Sequence, residues 1–116
     1  MRIIVLDYPK CNATVPWDEL EALGTVERFS QTTLPELLER ARSADVLITH
    51  SFPFRREVLD YLTHPRIILV PAQRMDELVE LPIARQLGIV IAGFSTDDPP
   101  CGWIGSAAEK LRDALS

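Results

Sequence analysis

Short apolar runs at residues 3–6, 46–49, 67–70 and 89–92 are separated by stretches whose apolar side chains recur at helical spacing. A four-residue run without a polar alternation has no face to give to water, so each reads as a strand buried on both sides. Strands of that kind, alternating with helices, define a parallel sheet covered by helices on both faces. A fifth run, 26–29, carries Glu27 and Arg28 and suits the edge of the sheet.

The helices between them are marked by their own signals. Residues 17–23 follow Pro16 and stop at Gly24. Thr33 and Glu36 have the spacing of a capping box, ahead of a stripe formed by Leu34, Leu37, Leu38 and Ala41. Residues 55–62 bury Val58, Leu59 and Leu62 and end at His64-Pro65. Beyond Pro71 and Asp76 a helical pattern runs to Gln86, with Pro82 in a first turn or breaking the helix and Gly88 as the stop. The set predicts a flavodoxin-like, doubly wound, five-stranded parallel sheet of order 2-1-3-4-5, with helices on both faces.

The tail differs. From Gly93 through Asp97, Pro99, Pro100 and Gly102 it cannot form a regular element. Residues 1–93 are therefore expected to form the sheet domain and 94–105 a linker. A C-terminal helix follows at 106–116, with a second capping box at Ser106 and Glu109 and an apolar face of Ala108, Leu111 and Leu115.

With 116 residues the chain can bury one hydrophobic core without staples. Its 17 acidic and 12 basic side chains give a formal charge of −5, and the ten arginines are scattered, which argues against nucleic acid or a polybasic membrane tether as partner. No apolar run is long enough to span a bilayer, and the first one ends at Asp7, too soon for a secretory signal. Cys11 and Cys101, far apart in sequence, read as free thiols in a cytoplasmic protein.

In a sheet of this order ligands sit beyond the carboxyl ends of the strands, here Asp7-Tyr8, His50-Ser51, Pro71 to Arg74 and Gly93-Phe94. A phosphorylated receiver needs an acceptor carboxylate after strand three, where Thr49-His50 stands. A flavodoxin needs a hydroxyl- and glycine-rich phosphate loop after strand one, where Asp7-Tyr8-Pro9-Lys10 stands. The glycines, at 24, 88, 93, 102 and 105, make no dinucleotide fingerprint, and neither cysteine has metal-ligand spacing. No residue is thus assigned to catalysis, cofactor or metal binding, and no cofactor is expected. His50 is the best acid–base candidate against the plainer reading of a rim histidine bonded to backbone or water. Arg74, with Arg55 or Arg56, could hold an anion against the plainer reading of solvated arginines. A candidate small-anion rim therefore comprises His50, Ser51, Gln73 and Arg74. Trp17 and Trp103 read as packing anchors, with Trp103 also placed to serve an interface.

Read in order, the opening strand and Trp17-Asp18-Glu19-Leu20, then Ala44 to Thr49, Pro53 to Leu59 and Val79 to Ile89, resemble the substrate domain of the D-isomer-specific 2-hydroxyacid dehydrogenases. Gly93 to Asp97 resembles that family's crossover into its NAD domain, and 107–115 resembles the helix that returns from it. The resemblance implies a substrate domain with the NAD domain excised between Asp98 and Gly102. The family's catalytic Arg, Glu and His and its NAD glycines belong to that domain, so no position here inherits them. The family's anion-binding glycine loop after strand four aligns with Met75, and no glycine occurs from Pro71 to Leu87. The resemblance implies a dehydrogenase-related module that does not bind NAD alone. Such a module would bind a small carboxylate or pair as a homodimer through Phe94, Pro99, Pro100, Trp103 and Ile104. The alternative is a subunit of a split NAD-dependent enzyme completed by a separate NAD-domain protein. An unrelated chemistry on His50 and Arg74 is a third reading.

Overall fold

The apolar runs pair as one sheet in a computed structural model that describes residues 1–8, 17–62, 65–96 and 102–115. The strands are β1 (Arg2–Val5), β2 (Thr25–Arg28), β3 (Val46–Ile48), β4 (Ile67–Pro71) and β5 (Val90–Phe94). All pairings are parallel and the order is β2-β1-β3-β4-β5, as the sequence predicts. β2 takes an edge, where Glu27 forms an ion pair with Arg2 on its neighbour.

Successive residues of each strand feed opposite faces, which divides the core in two. Ile3, Val5, Val46, Ile48, Ile67, Leu69 and Phe94 point to one layer. That layer is closed by α1 (Asp18–Glu21) through Leu20 and by α6 (Trp103–Leu115) through Trp103, Ile104, Ala107, Ala108 and Leu111. Ile4, Leu6, Leu47, Ile68 and Val70 point to the other. There α2 (Leu34–Arg40), α3 (Arg56–Tyr61), α4 (Met75–Leu78) and α5 (Leu81–Gln86) supply Leu37, Leu59, Leu78 and Ala84.

Local signals hold in part. The capping box of α2 is present: Glu36 N–H donates to Thr33 Oγ1 at 3.4 Å and Thr33 N–H donates to Glu36 Oε1 at 2.9 Å. Leu34, expected in the buried stripe, is 50% exposed, because burial on this helix begins one turn later, at Leu37. The single helix expected up to Gln86 is two, α4 and α5. Val79 leaves the helical path to bridge Phe54, whose N–H donates to Leu78 O at 2.6 Å and whose carbonyl accepts from Glu80 N–H at 3.2 Å. Pro82 then falls in the first turn of α5, and Gly88, at φ 77°, supplies the left-handed residue after it.

The tail corrects three expectations. Its helix begins at Trp103, not Ser106, and Phe94 belongs to β5, so the linker expected at 94–105 is shorter at both ends. Ser106 does not cap; its hydroxyl accepts from Ser95 N–H at 2.8 Å. Leu115, expected on the buried face, is 49% exposed, whereas Trp103 and Ile104, expected outside the helix, are buried. The cause is apolar area: extending the helix by one turn places an indole and an isoleucine in the core. Cys11, Pro16, His64, Pro99, Pro100 and Cys101 lie outside the described residues. Among the described residues no helix is long and apolar enough to cross a membrane.

Candidate functional site

The carboxyl ends of β1 and β3 lie side by side, which brings Asp7 against Thr49, His50 and Ser51. Asp7 Oδ1 accepts from the hydroxyl of Thr49 and, at 3.1 Å, from His50 N–H. Its Oδ2 accepts from Ser51 Oγ at 2.7 Å. Thr49, fully buried, in turn accepts from Phe52 N–H at 2.9 Å. The Asp7 carboxylate is thus the hub that fixes the β3 loop.

His50 turns inward. Its Nδ1 lies 3.2 Å from the carbonyl oxygen of Asp7, and its ring meets Trp103 edge to face at 4.4 Å and Phe94 at 5.1 Å. Its Nε2 is buried and has no hydrogen-bond partner among the described residues. Burial pushes the imidazole below its ordinary value, opposed by the hydrogen bond to the Asp7 backbone and by the Asp7 charge. The imidazole is set in aromatic surroundings.

Arg74 and Gln73 come from the turn after β4. Arg74 donates to His50 O at 3.1 Å and holds Glu77 through Nε at 3.3 Å and Nη2 at 3.1 Å. The pair shifts both partners, raising Arg74 and lowering Glu77. Gln73 accepts from Thr96 Oγ1 at 3.2 Å. The turn presses on β5: a Cβ at Gly93 would lie 2.7 Å from Ala72 Cα and 2.9 Å from Met75 Cε.

Of the four rim residues expected from sequence, His50 and Ser51 gather on Asp7, Arg74 reaches the same loop through His50 O, and Gln73 faces Thr96. Arg55 lies near Glu77 and contributes to the lowering of its pKa. The sequence reading missed Asp7 as the organiser and Thr49 as its buried partner. The available signal was a carboxylate just past β1 opposite Thr49-His50-Ser51 just past β3. Among the described residues no three His, Cys, Asp or Glu side chains converge as metal ligands.

The sheet order and its helix layers define a doubly wound α/β domain of the flavodoxin-like class. No family model matches the chain. It is 33% identical over 100 residues to the hydroxypyruvate reductase of Blautia hydrogenotrophica, covering 83% of this chain and 31% of that protein. It is 30% identical over 126 residues to a Haemophilus influenzae protein named as a 2-hydroxyacid dehydrogenase, covering 97% of this chain and 39% of that one. D-lactate dehydrogenase from Escherichia coli superposes with a TM-score of 0.69 at 18% identity, over 85% of this chain and 32% of that one, a likeness of fold. The chain therefore spans about a third of the length of the curated relatives it matches.

The longer match also bears on the tail. It takes in 97% of this chain within one 126-residue stretch, so most of α6 is matched together with the sheet. A helix returning from beyond an inserted domain could not fall inside so short a stretch. The likeness of residues 107–115 to such a helix is set aside, and with it the excision between Asp98 and Gly102.

Proposed function

We propose that this chain is the substrate-side domain of a D-2-hydroxyacid dehydrogenase-related protein, a binding or self-associating module that transfers no hydride by itself. The relatives named for hydroxyacid chemistry support the first half. One observation carries the second: the polar groups of the rim are engaged with one another. Asp7 holds Thr49, His50 and Ser51, and Arg74 holds Glu77 and the His50 carbonyl. The segment where the resemblance puts an anion-receiving glycine loop is wound into the 3₁₀ turn Ala72–Arg74 and α4. A small carboxylate on this rim would meet the carboxylates of Asp7 and Glu77 beside Arg74, so carboxylate binding there forms no part of the proposal.

The test is calorimetric titration of the purified chain with NADH, followed by assays with a panel of 2-hydroxy acids. No heat at micromolar concentrations and no turnover are expected; micromolar NADH binding overturns the reading. Turnover that appears only on adding a separate nucleotide-binding polypeptide replaces it with the split enzyme. Homodimerisation belongs to the same proposal, with its interface moved off Phe94, Trp103 and Ile104, which are buried inside the fold. A monomer mass by light scattering at high micromolar concentration removes it.

A further inference from the structure

We propose that His50 is a pH-operated latch: its neutral ring holds Trp103, and with it α6, on the sheet, and a proton on Nε2 loosens that helix. The tautomer follows from the geometry. A carbonyl oxygen only accepts, so the nitrogen 3.2 Å from Asp7 O, Nδ1, carries the hydrogen, and Nε2 is left as a lone pair. That lone pair is buried and has no donor among the described residues. A neutral ring tolerates this at modest cost, but an imidazolium would need an acceptor at Nε2.

Among the described residues none of the neighbouring elements provides one. From the end of β1, the Asp7 carboxylate receives the Thr49 and Ser51 hydroxyls and the His50 N–H. From the turn after β4, Arg74 sits on the His50 carbonyl and adds positive charge, shared with Glu77. β5 contributes Phe94 and α6 contributes Trp103, both uncharged rings. On α6, Gly105 faces Glu19 of α1, whose Oε2 would lie 3.5 Å from a Cβ at that glycine. Tyr8 and Trp17 extend the aromatic row, Tyr8 to Trp17 at 5.4 Å and Trp17 to Trp103 at 5.6 Å.

The strands around His50 are tied into the sheet, so α6 is the element that can yield. With its proton affinity lowered in the closed form, the open form binds more protons between the lowered value and the ordinary one near 6.5. Docking is therefore complete above the ordinary value and weakens as pH falls through it toward the lowered one.

The test uses the chain with His64→Gln, which leaves His50 as the sole histidine of the two. Its ring is followed by NMR from neutral to acid pH, beside amide-exchange protection of α6. A His50 midpoint below 6.5 is expected, with α6 protection falling by up to about tenfold per pH unit across the same window. His50→Phe, which keeps a ring and cannot titrate, should flatten that fall. A midpoint at or above 6.5, as ring stabilisation of the cation would give, overturns the proposal. So does α6 protection that is constant with pH, and neither result depends on the Phe variant folding.

Discussion

At Gly93 the backbone of β5 passes so close to the turn after β4 that the missing side chain is itself a structural element. A methyl there would sit 2.7 Å from Ala72 Cα and 2.8 Å from Ala72 Cβ, and backbone cannot swing aside as a side-chain tip can. Gly93→Ala should cost about 1–3 kcal/mol, the range for overpacking a filled site. A urea midpoint equal to that of the parent would refute the close approach. The sequence marked Gly93 only as the start of an irregular tail, because a contact between a strand and a remote turn leaves no trace in local spacing. Asp7 teaches the same lesson. Its place at the rim was legible from strand one, but its partners Thr49, His50 and Ser51 lie more than forty residues on and meet it only through the β1–β3 pairing. His50 was legible as the histidine at the end of a central strand. Its inward turn was not, since Trp103 was read as part of a linker.

Helix signals succeeded where the helix end faces solvent and failed where the core competes for it. Thr33 and Glu36 cap α2 as their spacing predicts, and Arg40, one turn on, adds an ion pair to Glu36 at 2.9 Å. Replacing Thr33 with Ala should destabilise the fold by about 1 kcal/mol, read from chemical denaturation at neutral pH. The Thr33 backbone and hydroxyl, and then Arg40, hold the Glu36 carboxyl below its ordinary value. This contribution is present above that ordinary value and disappears as pH falls through the lowered one, so the Thr33→Ala penalty should shrink in acid. A penalty that grows in acid would contradict the assignment. Ser106 and Glu109 have the same spacing and cap nothing, because starting at Trp103 buries two large side chains that a cap at Ser106 would leave outside. Val79 breaks its helix for an equally non-local reason, the bridge to Phe54. The order of the strands was legible because β1, β3 and β4 are apolar on both faces and the charges of β2 mark an edge; the helix ends were not, because their partners are remote.

The balance of the whole molecule rests on α6. On one side of the sheet four helices share the cover; on the other, α1 is only Asp18–Glu21 and buries Leu20 alone of its residues. The layer of Ile3, Val5, Val46, Ile48, Ile67, Leu69 and Phe94 owes most of its cover to α6, which adds Trp103, Ile104, Ala107, Ala108 and Leu111 to Trp17 and Leu20. Burying Ile104 and Leu111 contributes about 1.5–3 kcal/mol each, before Trp103 is counted. Set against a total stability of about 5–15 kcal/mol for a typical domain, that is a large share. Deleting residues 101–116 should therefore lower the melting temperature by more than 10 °C, about what a loss above 2 kcal/mol produces at this size, and raise binding of a hydrophobic dye. Two point substitutions separate docking from mere helix content. Leu111→Ala, at a fully buried site, should cost about 2–5 kcal/mol. Leu115→Ala, at a site 49% exposed in the last turn of the same helix, should stay within about 0.5 kcal/mol. Equal effects at the two sites, or a truncated chain that melts like the parent, would mean that α6 does not seal the sheet.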